Sequence, residues 1–236
     1  MSYRIEPLNE ESIIVTFLPQ TDASIHKKVQ LLNRAIHEQP FNGLIETVPA
    51  YHSVTLHFEP IHEDNLSPFQ FVKKHLIELL SQSKVDEAYS FRKLKIPVCY
   101  DPRLGEDLIT LSKELHLTIE EVIQIHSGPL YEVVFIGFSP GFPFLSGLDE
   151  RIAFPRKSSP RLKIDPGSVG IAGNQTGIYS VETPGGWNII GKTPITLFES
   201  NKPSPSFFKV GDRLKFVPIS FDNYTNWKEN SWVFEF

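Results

Sequence analysis

From residue 131 onward the chain reads YEVVFIGF (131–138), VGIAG (169–173), TGIYSVET (176–183), WNIIG (187–191), ITLF (195–198) and DRLKFVPI (212–219). The runs are short and apolar, and glycine or proline separates each from the next. That pattern predicts many brief strands closing into a barrel or sandwich. Immediately upstream, KLKIPVCYD (93–101) reads as another strand. Glu106 and Asp107 then enter the first turn of a helix carrying Leu108, Leu111 and Leu115, where carboxylates favour the helix dipole. Thr118 and Glu121 have capping-box spacing and open a second helix that runs to His126.

Before residue 90 the character of the chain differs. Twelve of the 14 glycines lie at or after Gly128, and all eight histidines lie at or before His126. The net charge of -5 belongs entirely to residues 1–90, which carry 7 basic and 12 acidic side chains, whereas residues 91–236 carry 16 of each. In the first part, IIVTF (13–17) is strand-like, and Ile25, Val29, Leu32 and Ile36 recur at helical spacing before Pro40. LIETVPAYHSVTLHF (44–58) suits two strands joined by a turn. Pro68 opens a helix with Phe69, Val72, Leu76 and Leu79 on one face. The order βαββα, with room for a further strand, predicts an α+β domain: an antiparallel sheet with helices on one side. The expected domains are residues 1–85 and a mainly-β barrel over 86–236, with the linker in SKVDEAYSFR (83–92).

Composition excludes several classes of function. No apolar run approaches the roughly 20 residues of a membrane span, and the acidic N-terminus lacks the pattern of a secretion signal, so the reading is cytoplasmic, with no membrane partner. The balance of charge argues against nucleic acid as a partner, because that affinity depends on neutralising phosphates. Cys99, the one cysteine, excludes an internal disulfide and reads as core. His52, His57 and His62 follow no metal-ligand spacing.

Two motif matches fail on physical grounds. Gly137-Phe-Ser-Pro-Gly141 fits the GxSxG nucleophile elbow, but that elbow uses the N–H of the residue after serine, and Pro140 has none. No histidine follows His126. Gly186 to Thr193 fits the phosphate-loop pattern, yet Pro194 and a strand-like run follow where a helix is needed, so a β-hairpin is the better reading.

The chemical signal lies in RIAFPRKSSPRLKI (151–164), where Arg151, Arg156, Lys157, Arg161 and Lys163 occur with no acid among them. Guanidinium groups grip carboxylates bidentately, so the segment predicts recognition of a small carboxylate, with Arg156 and Arg161 as anchors. Nearby glycines would admit close backbone approach. Phe138, Phe142, Phe144, Tyr179 and Trp187 would form apolar walls, with Ser168, Gln175 and Thr176 as neutral hydrogen-bonding groups and Lys192 as a further cation. With His126 the last histidine, the region has no evident base tuned near neutral pH, which favours a binding component over a self-sufficient catalyst. The catalytic residues are not legible.

FIGFSPGFPFLSGL (135–148), FPRKSSPRLKI (154–164), PGSVGIAGNQTGIYSVETPGGW (166–187), IIGKTP (189–194) and VGDRLKF (210–216) resemble the allophanate-hydrolase subunit 1 family, whose members include the B subunit of 5-oxoprolinase and the sporulation-kinase inhibitor KipI. The resemblance implies an N-terminal α+β domain followed by a cyclophilin-like β-barrel. It also implies a non-autonomous role beside subunits of C and A type in ATP-dependent opening of 5-oxoproline to glutamate, with ATP bound by the complex rather than by this chain alone. In that role Arg156 and Arg161 would hold the carboxylate and Gln175 and Thr176 would meet the amide. Two alternatives come with the family: inhibition of a sporulation sensor histidine kinase, and carboxyl transfer in a biotin-dependent urea carboxylase. Lys192, where the family often has Arg, and Asp165, Asn174 and Ser180 depart from the family pattern.

Overall fold

Ile25, Val29, Leu32 and Ile36 fall on one stripe of a helix and are all buried, which gives α1 (Ser24–Glu38) its inward face. Val72, Leu76 and Leu79 do the same for α2 (Pro68–Gln82). Both stripes join one cluster with Ile13, Val15, Phe17, Val54, Leu56 and Phe58, the inward residues of a four-stranded antiparallel sheet. Its strands are β1 (Ser2–Asn9), β2 (Ser12–Leu18), β3 (Leu44–Pro49) and β4 (Ser53–Phe58), in the order β1-β2-β4-β3. The expected strand at 13–17 is therefore the second arm of a hairpin, with Ser2 opposite Leu18 and Ile5 opposite Val15. Burying each such aliphatic side chain contributes roughly 2 kcal/mol.

The computed structural model describes residues 2–18, 24–60, 66–82 and 92–228. The chain divides into two units, residues 1–90 and 91–236. The expected linker falls largely on residues 83–91, and His62 on 61–65, outside the described residues. No helix among the described residues is long and apolar enough to cross a membrane.

The second unit runs through β5 (Lys93–Val98), α3 (Leu108–Glu114), α4 (Ile119–Ser127), β6 (Tyr131–Ile136) and β7 (Pro143–Ser146). It continues with β8 (Arg161–Ile164), β9 (Ser168–Ala172), β10 (Gln175–Ile178), β11 (Thr183–Gly185), β12 (Asn188–Lys192), β13 (Arg213–Pro218) and α5 (Phe221–Thr225). Seven strands form one sheet in the order β12-β9-β10-β7-β6-β13-β5. Its two ends meet where Cys99, just past β5, exchanges backbone hydrogen bonds with Lys192 of β12 at 2.9 and 3.0 Å. The sheet is thereby nearly closed into a barrel, and Ile96, Val98, Tyr131, Val133, Leu145, Val169, Ile171, Ile178, Ile190, Leu214 and Phe216 fill it. A separate two-stranded ribbon pairs β8 with β11.

One expected strand is absent. Residues 195–198 make only the isolated bridge Phe198 to Ser206; Ile195 and Leu197 are buried in the core all the same. The alternation in ITLF reflects burial of every second side chain, not ladder pairing.

The expected capping box is present: Thr118 Oγ1 accepts from Glu121 N–H at 3.1 Å, and Glu121 Oε2 accepts from Thr118 N–H at 2.8 Å. Replacing Thr118 with Ala is expected to lower stability by about 1 kcal/mol. Urea denaturation checks this; an unchanged midpoint would show that the cap contributes nothing.

Candidate functional site

Four of the five cations of residues 151–164 are compensated by acids from outside the segment. Arg151 pairs with Asp149 at 2.7 Å, Lys163 with Glu182 at 2.6 Å, and both Lys157 and Arg161 with Asp107 Oδ1, at 2.8 and 2.7 Å. The absence of acids within the segment misleads because the barrel brings Asp107 in from 50 and 54 residues upstream.

Asp107 is the hub of this arrangement. It precedes α3 and is buried, and its second oxygen accepts the Ile189 backbone N–H at 2.7 Å. Its own N–H donates to Ile189 O at 2.9 Å, tying the start of α3 to β12. Burial works to raise the pKa of this carboxyl, but hydrogen bonds from Arg161, Lys157 and the Ile189 N–H outweigh it and hold the group below the ordinary carboxylate range. Sequence reading placed Asp107 in a helix's first turn and missed this role. The signal that could have revealed it was the exact charge balance of residues 91–236, which implies that the clustered cations meet acids from elsewhere.

Arg161 is held on two sides, by Asp107 and by Glu106 Oε2 at 3.2 Å from its Nε. Its remaining nitrogen, Nη1, is buried and has no hydrogen-bond partner among the described residues. Leaving such a donor unpaired costs about 1–3 kcal/mol. Arg161 lines a cleft of about 240 Å³ together with Arg103, Glu106, Lys163, Asp165, Ser168 and Lys192, over a floor that includes Ile164 and Ile189. The cleft thus carries four cations against two carboxylates. Lys192 Nζ donates to Asp165 at 3.2 Å, and Arg103 stacks on Phe221, 3.4 Å from the ring centroid. Arg161, Ser168 and Lys192 are therefore brought together, whereas Arg156 lines a neighbouring cavity, where its guanidinium carbon lies 6.0 Å from the Trp187 centroid.

The expected aromatic walls form a packed layer. Phe142, Tyr179 and Trp187 are buried with Ile164, Ala172 and Ile189, and the Phe142 ring lies edge-on to those of Tyr179 and Trp187 at 5.1 and 5.3 Å. The glycines beneath them serve these rings: a Cβ on Gly177 would stand 2.8 Å from Phe142, and one on Gly170 would stand 3.1 Å from Trp187 Cβ. Close approach is needed here, by side chains of the protein itself. The Tyr179 hydroxyl is buried without a hydrogen-bond partner of good geometry. Burial raises its pKa, opposed by the Trp187 backbone and by Arg156 and Arg161. Phe138 is 63% exposed at φ 70°, a backbone region unusual for a bulky side chain, and its ring meets Phe142 and Tyr179 at 5.5 and 6.4 Å.

Thr176 lies in the core instead. Its hydroxyl donates to Gly170 O at 2.9 Å and so accepts from His126 Nε2 at 2.9 Å. His126 Nδ1 then accepts from the Tyr100 hydroxyl at 2.8 Å. Burial pushes the imidazole pKa down to about 3 and so keeps the ring neutral, which is consistent with Nε2–H donating and Nδ1 accepting. His126 stacks on Phe216 with centroids 4.6 Å apart; it is a satisfied core histidine and does not serve as a base. Gln175 is half-buried at the start of β10. Ser139 sits in the turn between β6 and β7, its buried Oγ without a partner, and no base stands with it among the described residues. Gly186 to Thr193 contains strand β12, paired to β9 with β10 and β11 between them in the chain, so the segment is a strand of the barrel sheet and not the expected hairpin; as expected, no helix follows it.

The carboxyltransferase domain family, subdomains C and D, matches residues 3–208. The chain is 43% identical over 235 residues to the B subunit of 5-oxoprolinase from Bacillus subtilis (strain 168), covering 97% of this chain and 98% of that protein. It is 37% identical over 213 residues to the corresponding B subunit of 5-oxoprolinase from Haemophilus influenzae, covering 90% and 96%. Among solved structures, TTHA0988 superposes with a TM-score of 0.75 at 33% identity over 89% of this chain, which spans 40% of that longer protein. The match over residues 3–208 and these relatives bear out the resemblance to allophanate hydrolase subunit 1: the chain belongs to the carboxyltransferase domain family, subdomains C and D.

Proposed function

We propose that this chain is the B-type subunit of a 5-oxoprolinase complex, and that its cleft holds the carboxylate of 5-oxo-L-proline. The observation that carries the reading is Arg161: fixed through Nε and Nη2 by Glu106 and Asp107, it keeps Nη1 without an acceptor. One carboxylate oxygen supplies that acceptor, while Lys192 and Ser168, on the same cleft, contact the rest of the acid. The relatives' name supports the choice of acid. In the reaction the ring C–N amide bond breaks, water supplies the new carboxylate oxygen, and the nitrogen leaves as the α-amine of L-glutamate. ATP hydrolysis drives the step.

The lining of the cleft supports dependence on partners. It includes no histidine or cysteine, and its two carboxylates, Glu106 and Asp165, are engaged by Arg161 and Lys192. A general base must be free to take a proton, and both of these acids are committed to cations. In this reading, subunits of A and C type complete the site and the complex binds ATP. The test is ATP-dependent glutamate release from 5-oxoproline by the reconstituted complex. Release is expected only when this chain is present, and Arg161→Ala is expected to raise KM about tenfold or more, the loss of one charge-assisted hydrogen bond. Full activity without the chain would overturn the proposal.

A further inference from the structure

The cavity across the Asp107–Arg161 ion pair has its own chemistry. It encloses about 270 Å³, and Asp107 is the one acid on its wall, already engaged by Lys157 and Arg161. Arg156 has no carboxylate partner among the described residues; it is steadied by the face of Trp187 instead, which leaves its charge uncompensated. Thr110, Ser158 and Ser159 line the same space, and their hydroxyls make no hydrogen bond among the described residues.

The loop that presents these groups is pinned. Phe154 exchanges two backbone hydrogen bonds with Gly173, at 3.1 and 2.7 Å, and Lys157 N–H donates to Gly186 O at 2.8 Å. Buried Asn188 donates from Nδ2 to Pro155 O at 2.8 Å. The backbone that carries Arg156 and Lys157 is thus held in place before any ligand arrives, which reduces the ordering cost of binding.

We propose that this cavity is a second anion site and that it takes a phosphoryl group. A planar carboxylate is matched by the fork of one guanidinium. Here an arginine, a lysine and three hydroxyl-bearing residues line one space, a set that suits an anion with three or more oxygens in a tetrahedron, with lysine acting as a point charge. The proposal is independent of the acid in the neighbouring cleft.

The test is calorimetric titration of the full chain with inorganic phosphate and, separately, with ADP, at constant ionic strength. Saturable binding of one phosphate per chain is expected. Arg156→Ala, at an exposed position, should weaken it about tenfold or more, the loss of a charge-assisted contact. Lys163→Ala, on the other cleft, should leave it within about twofold. Tighter binding of ADP than of phosphate would identify a nucleotide as the source of the phosphoryl group; equal or weaker binding would identify free phosphate. No saturable binding of either probe, or equal losses in the two variants, would overturn the proposal.

Discussion

Replacing Asp107 with Ala is expected to destabilise the second unit by about 3 kcal/mol and to abolish acid binding with it. Removing one partner of a buried ion pair costs roughly 3–5 kcal/mol. The lower end applies because Lys157 and Arg161 retain 33% and 21% of their side-chain exposure and can turn toward water. The Ile189 N–H also loses its acceptor. The pH dependence has a definite sign. The folded-state pKa of Asp107 is depressed, so its contribution is fully present above the unfolded value of about 3.9 and is lost as pH falls through the folded value. Urea denaturation at several pH values should therefore show a constant gap between wild type and variant at neutral pH that narrows below about pH 4. A gap unchanged into the acid range would mean that the carboxylate's charge does not matter.

Gly105→Val is expected to cost at least as much by a different route. A Cβ at this position would stand 2.4 Å from the carbonyl carbon and oxygen of Ile190 and 2.9 Å from Gly191 N. These are backbone atoms of a barrel strand, so no rotamer change relieves the clash, and residues 104–107 must lift off β12. That movement breaks the exchange between Asp107 and Ile189 in addition to the ordinary overpacking cost of about 1–3 kcal/mol. The expected sum is about 3–4 kcal/mol, a fall in melting temperature of roughly 6–16 °C for a unit of this size. A variant melting within about 2 °C of wild type would show that the contact between this segment and β12 is loose.

Features set by neighbouring residues were legible in the sequence, and those set by distant ones were not. The stripe Ile25, Val29, Leu32 and Ile36, and the pair Thr118 and Glu121, act within one helix, and each appears as read. The charge state of residues 151–164 was misread because their acids lie outside the segment, Asp107 half a barrel away in the chain. Thr176 looked like a ligand contact because nothing in its local sequence reveals that His126, 50 residues earlier, fills its hydrogen bonds inside the core. The glycines among the aromatics read as room for a ligand. Gly170 and Gly177 instead make room for Trp187 and Phe142, since a sheet's outer face is covered by whichever side chains fold over it. Arg161 was singled out from sequence, but its one unpartnered nitrogen became visible only with Asp107 and Glu106 in place.

The most direct measurement compares 5-oxo-L-proline with 2-pyrrolidinone, the same ring without its carboxylate, as competing ligands of the reconstituted complex carrying wild-type chain or Arg161→Ala. If the unpartnered guanidinium nitrogen receives the carboxylate, wild type favours the acid by about tenfold or more and the variant loses most of that preference. If the preference survives intact in the variant, the acid is held somewhere else.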